Sequence, residues 1–159
     1  MLKDFFAWNM WANDRYREKL SEISIVELKV DTPYGKLLDR IIHIFASYEM
    51  WYLRMEGKSP NKVLNSSDFI SWDAISSTWK NYDKLLLDFV EVLSPEDINR
   101  IVSYTSMDGT IYKRKIKHIL MHLISHPNYH RGQISAIFKY LNLPALPSTD
   151  MVIYFLDHS

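Results

Sequence analysis

Histidine is the residue whose number and spacing in this chain most directly indicate chemistry. Four of the six histidines, His118, His122, His126 and His130, follow one another at intervals of four residues. On an α-helix, residues four apart lie one above the other on the same face, so neighbouring imidazoles can approach one ion. Each such step also rotates the side chain by about 40° around the axis, so one ion cannot bind all four. The row therefore predicts a metal site formed by one adjacent pair and at least one ligand from another helix.

The remaining ligand is sought among the histidines outside this row. His43 lies in the middle of a predicted helix, whereas His158 lies next to the last residue of the sequence. His43 is therefore the candidate from a second helix. Three imidazoles from two helices leave coordination positions open for water or substrate, as in catalytic zinc sites. Nitrogen ligands suit zinc, nickel, copper and iron, so the residues do not choose among these metals.

The composition limits the class of protein. A chain of 159 residues fits one domain, and we expect a single module over residues 1–159. The 19 basic and 19 acidic residues balance, so we predict neither nucleic acid nor a membrane as a partner. The absence of cysteine excludes a thiolate nucleophile. No segment has the roughly 20 apolar residues of a membrane span or the pattern of a signal peptide, which predicts a soluble, cytoplasmic protein.

Four long helices are predicted to position the histidines, because apolar residues recur at helical spacing in four segments. The segments run from about Lys3 to Leu20, from Thr32-Pro33 to about Glu56, from Ser67 or Ser71 to about Leu93, and from near Lys115 to about Leu141. In the second segment, Thr32 is the expected N-terminal cap and Gly57 the expected stop. Four such helices predict a four-helix bundle, in whose interior facing helices can build a metal site.

The connections between these helices are predicted from turn residues. Residues 21–31 have no sustained period and are expected to form a connection. Between the third and fourth helices, Met107-Asp108-Gly109 lies among β-branched and aromatic residues, which predicts a short hairpin or an irregular crossover. Residues 147–156 combine a capping start with many apolar residues and are expected to dock as a short C-terminal helix. The predicted fold class is all-α.

Four segments of the sequence form a recognisable set. They are Asn9-Met10-Trp11-Ala12-Asn13, residues 37–57 around His43, residues 122–133 with three spaced histidines followed by Arg-Gly-Gln, and Pro147-Ser148-Thr149-Asp150. Together they resemble the DinB-like superfamily of small metal-binding four-helix bundles. The histidine motif with Arg-Gly-Gln is the specific part. The resemblance implies an up-down-down-up bundle, often a homodimer, in which His43, His126 and His130 bind a divalent ion, with zinc or nickel favoured. It also implies that His122 is a common family histidine but not a ligand.

The same resemblance implies an activity. The superfamily includes bacterial thiol transferases and metal-dependent hydrolases, which implies a small-molecule substrate, with a low-molecular-weight thiol as one candidate. An ion with open positions would either activate water for hydrolysis or lower the pKa of a thiol for transfer, and the resemblance slightly favours transfer. Two other functions stay open. One is a non-catalytic, stress-associated metal-binding or structural bundle, and the other is a haem or ligand carrier that uses one histidine.

Five residues near the three histidines are candidates for supporting the ligands or lining a pocket. They are His122, Arg131, Gln133, Asp39 and Ser47. Asp39 and Ser47 lie four residues before and after His43, so each could orient that ligand or point outward. Arg131 and Gln133 follow the last histidine of the motif and could line the pocket or tie their helix to a neighbour. No general acid or base is predicted among them.

Pro127 lies between His126 and His130 on the predicted fourth helix. A proline inside a helix removes one backbone hydrogen bond and costs about 3 kcal/mol, so we expect the helix to be kinked there. The bond that is lost would have ended on the Leu123 carbonyl. This freed carbonyl could orient a ligand histidine through its other nitrogen.

Overall fold

Four long helices and several short elements make up the fold. The structure is a computed structural model that describes residues 1–158. In chain order the elements are α1 (Leu2–Leu20), α2 (Ile25–Leu28), α3 (Leu37–Met55), α4 (Trp72–Val92), α5 (Pro95–Asn99), β1 (Ile101–Thr105), β2 (Ile111–Lys115), α6 (Ile116–Tyr140) and α7 (Met151–Asp157), with a 3₁₀ turn at Ser66–Asp68. The all-α class is confirmed, with one small two-stranded sheet. None of the helices in residues 1–158 is both long and apolar enough to cross a bilayer.

Contacts between the long helices establish the direction of each one in the bundle. The contacts are Lys3 with Glu91 and Arg17 with Asp83 for α1 and α4, Phe45 with Trp79 and Tyr52 with Phe89 for α3 and α4, and His43 with His130 and Trp51 with His122 for α3 and α6. Residue numbers rise together in α3 and α4 but run in opposite directions in the other two pairs. Therefore α1 and α6 point one way and α3 and α4 the other. This is the up-down-down-up topology that the resemblance implied.

The hairpin and the C-terminal helix lie where the sequence predicted them. Strands β1 and β2 are antiparallel, and the turn between them places Gly109 at a φ of +82°. Helix α7 packs on α1, where the rings of Trp11 and Tyr154 lie with centroids 5.5 Å apart. The indole nitrogen of Trp8 also donates to the carbonyl of Thr149 at 3.0 Å. Both predictions are confirmed.

The predicted start of the second long helix is wrong by about one turn. Helix α3 begins at Leu37 rather than at Thr32-Pro33. The Thr32 hydroxyl does not cap a helix, because it closes a tight turn by donating to the Gly35 carbonyl at 2.6 Å and accepting from the Tyr34 N–H at 3.1 Å. Gly35 has a φ of +87°, which an α-helix does not allow. The predicted stop at Gly57 is correct, since its φ is +76° directly after the helix.

The predicted connection over residues 21–31 contains the short helix α2. Ser24 and Glu27 form a capping box in which each side chain accepts a hydrogen bond from the backbone N–H of the other residue. The backbone nitrogen of Glu27 lies 3.2 Å from the Ser24 hydroxyl oxygen, and the backbone nitrogen of Ser24 lies 3.1 Å from the Glu27 carboxylate. This motif stabilises a single turn without an extended apolar period, which is why the periodicity did not indicate it.

Candidate metal centre

The three predicted ligands lie together where α3 faces α6. The Nε2 atoms of His43 and His126 are 3.1 Å apart, and those of His126 and His130 are also 3.1 Å apart. All three ligand atoms lie within 4.8 Å of one another. Two nitrogens that each bind one ion at about 2.1 Å are about 3.0 to 3.4 Å apart. The spacing of the imidazoles therefore fits a single divalent ion.

Hydrogen bonds on the outer side of two rings determine which nitrogen faces the centre. The Ser47 hydroxyl donates its proton to the Ile44 carbonyl at 2.7 Å, so it accepts from Nδ1 of His126 at 3.2 Å. The side-chain oxygen of Gln133 accepts from Nδ1 of His130 at 2.7 Å. Since a neutral imidazole carries one N–H, both Nε2 atoms present lone pairs to each other at 3.1 Å. Such a contact is repulsive unless a cation lies between the two atoms.

The pKa values of the imidazoles favour the neutral form that binds metals. Burial, together with the smaller effect of the neighbouring histidines, lowers the pKa of His126 to about 3. Burial also lowers the pKa of His43, and the charge of Arg40 adds to this effect. In His130, burial lowers the pKa although the hydrogen bond with Gln133 opposes the change. At neutral pH the cluster therefore offers three uncharged ligands, which release no protons when a cation binds.

The cluster extends from the interior of the bundle to its surface. His130 is buried, His126 is half-buried and His43 is exposed. One side of a bound ion would therefore be surrounded by protein, and the other side could be reached from solvent past α3. A closed structural zinc site would instead have four protein ligands. The arrangement corresponds to a site with exchangeable positions.

Comparison with known proteins identifies the family. The DinB family model matches residues 1–147. The chain belongs to the DinB family. Among its relatives, Protein DinB of Bacillus subtilis (strain 168) is 21% identical over 156 residues, which cover 94% of this chain and 90% of that protein.

Two solved structures share the fold of this chain. A DinB-like protein of Bacillus cereus ATCC 10987 has a TM-score of 0.66 and 16% identity, covering 91% of this chain and 95% of that chain. YfiT of Bacillus subtilis, described as a probable metal-dependent hydrolase with an unusual four-helix bundle topology, has a TM-score of 0.64 and 15% identity, covering 89% of both chains. At these identities the likeness shows the DinB fold alone.

Two of the predicted neighbours flank the histidines of this DinB-family bundle without bonding to them. The His122 ring packs against His126 with centroids 4.9 Å apart and against Trp51 with centroids 5.4 Å apart. Asp39 is exposed and lines a cleft beside His43. In residues 1–158, neither side chain has a hydrogen bond to the three imidazoles. The contacts that orient the rings come from Ser47 and Gln133 instead.

A buried polar network joins the four long helices next to the last histidine of the motif. Arg131 is 1% exposed and donates from Nη1 to the side-chain oxygens of Asn9 at 2.8 Å and Asn13 at 2.6 Å. The amide nitrogens of both asparagines donate to the Tyr48 hydroxyl, and Asn13 also donates to Asp83 at 2.7 Å. Of the two predicted alternatives for Arg131, the contacts match the second, since it ties α6 to α1 and does not line an open pocket.

Pro127 lies inside α6, which continues without a break from Ile116 to Tyr140. The rings of His126 and His130 on either side of it lie with centroids 4.3 Å apart, so the proline does not separate them. The predicted contact of a ligand with the Leu123 carbonyl is wrong in residues 1–158, because the Nδ1 atoms bond to side chains instead. The kink itself stays a prediction.

Replacing Gln133 by leucine is expected to weaken divalent-metal affinity by about 10- to 100-fold. The leucine cannot accept a hydrogen bond from Nδ1 of His130, so the orientation of the ring and the position of its N–H are no longer held. The dissociation constant is measured by competition with a chromogenic chelator. The Gln133→Glu variant keeps a hydrogen-bond acceptor for Nδ1 of His130, so this variant should bind metal at least as tightly as Gln133→Leu. Affinity unchanged in the leucine variant would contradict a supporting role for Gln133.

Proposed function

We propose that His43, His126 and His130 bind one divalent metal ion and that the protein is a metal-dependent enzyme acting on a small molecule. The observation that supports this most strongly is the convergence of three Nε2 atoms, two of them with lone pairs facing each other at 3.1 Å. Zinc or nickel is the proposed ion, since imidazole ligands suit both metals and the family resemblance favours these two. Three protein ligands leave coordination positions for the substrate.

The protein's own residues contribute orientation and charge to this centre. When bound, the ion would supply Lewis-acid chemistry, lowering the pKa of a water or a thiol at its open positions. Ser47 and Gln133 hold two of the rings in place before the ion binds. The ligand set contains no carboxylate, so the full double charge of the ion acts on the substrate. This favours a reaction in which negative charge develops on the nucleophile.

The proposed reaction is thiol transfer or hydrolysis. Thiol transfer is supported by the resemblance of the histidine motif to a superfamily with thiol transferases, and its substrate would be a low-molecular-weight thiol. Hydrolysis is supported by the structural likeness to YfiT, which is described as a probable metal-dependent hydrolase. A homodimer is a further part of the proposal and is supported by the family resemblance. A cytoplasmic location is also proposed, on the sequence pattern alone.

Metal removal and reloading test the enzymatic proposal. Protein stripped with a chelator is compared with protein reloaded with zinc or nickel, using a panel of low-molecular-weight thiols with monobromobimane and a panel of esters and amides. Lewis-acid catalysis contributes several kcal/mol, so we expect the loaded protein to accelerate one of these reactions by at least about 100-fold. Stoichiometric metal without turnover on either panel would contradict the enzyme proposal and favour a non-catalytic metal-binding bundle.

A further inference from the structure

A positively charged side chain lies beside the proposed metal centre on its solvent side. Arg40 precedes His43 by three residues, so the two side chains share one side of α3. Arg40 and His43 line a cleft of about 290 Å³. Arg40 also lines a second cleft of about 140 Å³ together with Gln133, the residue that holds His130. Arg40 therefore borders both the exposed and the buried ends of the histidine cluster.

The Arg40 guanidinium is held by a neutral backbone group. Its Nε and Nη2 atoms donate to the Tyr34 carbonyl at 3.3 Å and 3.1 Å. The adjacent Gly35 has a φ of +87°, and a Cβ there would lie 3.4 Å from Nη2, so glycine allows both the turn and the close approach of the guanidinium. The Thr32 hydroxyl closes the same turn. The loop before α3 thus orients this side chain without neutralising its charge.

Nothing acidic compensates Arg40 in the part of the chain that the structure describes. No ion pair to Arg40 is present in residues 1–158. Its charge instead acts on the cluster, where it lowers the pKa values of His43 and His130 in addition to the larger effect of burial. The larger cleft is also lined by Asp39 and by Lys36, which pairs with Asp31 at 3.8 Å. Within residues 1–158, Arg40 is therefore the cation of this cleft that has no ion pair. The cleft is suited to one negative charge.

We propose that Arg40 is the recognition residue for a carboxylate on the substrate. This inference rests on the proposed function, since the reacting group of the same molecule would occupy an open position of the metal centre. Since Nε and one Nη2 proton of Arg40 donate to the Tyr34 carbonyl, the remaining Nη1–H and Nη2–H donors are the parallel pair that matches the two oxygens of a carboxylate. A single unpaired guanidinium favours a monoanion over a phosphate dianion, which the carboxylate of Asp39 would repel more strongly. The substrate class is therefore a small carboxylate-bearing thiol or a carboxylate-bearing hydrolysable compound.

Two thiols that differ in charge test this recognition on the zinc-loaded full-length protein. Isothermal titration measures the dissociation constants of 3-mercaptopropionate and 2-mercaptoethanol, whose thiols can both reach the metal. We expect the carboxylate-bearing thiol to bind about tenfold more tightly, the contribution of one charge-assisted contact. In Arg40→Met the two dissociation constants should become about equal, and because the preference is their ratio, a change in zinc binding that affects both thiols alike cancels. Arg40→Lys keeps the charge without the fork and should retain part of the preference.

Arg100→Met is the matched control, because Arg100 is exposed, lines neither cleft and loses the same charge. It should keep the preference of the unaltered protein. A preference that persists in Arg40→Met would overturn the proposal. If the unaltered protein binds no zinc, the proposed function fails on its own. The anion site is then tested on the metal-free protein, by following the NMR resonance of the Arg40 Nε–H during titration with propionate and with propionamide. Equal responses to the two compounds would then overturn the anion site, and a response to propionate alone would support it.

Discussion

Replacing His126 by alanine is expected to abolish stoichiometric metal binding. Nε2 of His126 lies 3.1 Å from the corresponding atoms of both His43 and His130, so it is the ligand that links the other two. Without it, a single ion has two protein ligands. We expect affinity to fall by more than about 100-fold, beyond the range typical of a residue that only orients a ligand. Metal content is measured by mass spectrometry after dialysis against a weak competing chelator.

His118→Ala is the matched control for this substitution. His118 belongs to the same four-residue row but is exposed and lies outside the cluster. It should bind as much metal as the unaltered protein. Full metal content in His126→Ala would remove the proposed centre and the proposed function with it. Equal losses in the two variants would place the bound metal away from the cluster.

The ligand cluster could be predicted because helical spacing brings His126 and His130 together whatever the rest of the fold does. His43 could be named as the candidate from a second helix by elimination, but choosing His126 and His130 among the adjacent pairs of the row needed the family resemblance, since spacing within one helix does not determine which of its residues face another helix. The same limit explains Ser47. It was considered as a partner of His43 from the interval of four residues, but its hydroxyl accepts from His126 on the facing helix. Contacts within a helix can be predicted from sequence, whereas contacts between helices depend on their order and direction.

The buried polar network was not predicted, although one helix contained a signal for it. Asp83 lies four residues after Trp79 and three before Leu86, so it occupies the same apolar stripe as these two core residues. A carboxylate in such a stripe requires a buried partner. That partner comes from α1, where Asn13 and Arg17 are spaced by four residues and face α4. The sequence could indicate that a partner exists but not which helix provides it.

Replacing Asp83 by alanine is expected to lower the free energy of unfolding by about 3 kcal/mol. Asp83 is 4% exposed and forms an ion pair with Arg17, which is 5% exposed, while Asn13 donates to the same carboxylate at 2.7 Å. The variant leaves a buried guanidinium whose remaining acidic contact is the exposed Asp14. For a domain of this size the loss corresponds to a decrease in Tm of roughly 10 °C. Urea and thermal unfolding of the metal-free protein measure both quantities.

Two further variants separate the effect of the buried charge from that of a lost ion pair. Asp88→Ala, on the same helix, removes an exposed carboxylate that pairs with Lys84 at 2.7 Å, and should change stability by less than about 0.5 kcal/mol.

Burial raises the pKa of Asp83 to about 7 despite the opposing effect of Arg17, which indicates a large desolvation cost for its charge. The double variant Arg17→Met, Asp83→Leu removes both charges, so it should recover at least half of the loss seen in Asp83→Ala. A double variant no more stable than Asp83→Ala would show that the network stabilises the bundle through the hydrogen bonds of Asn13 rather than by compensating a buried charge.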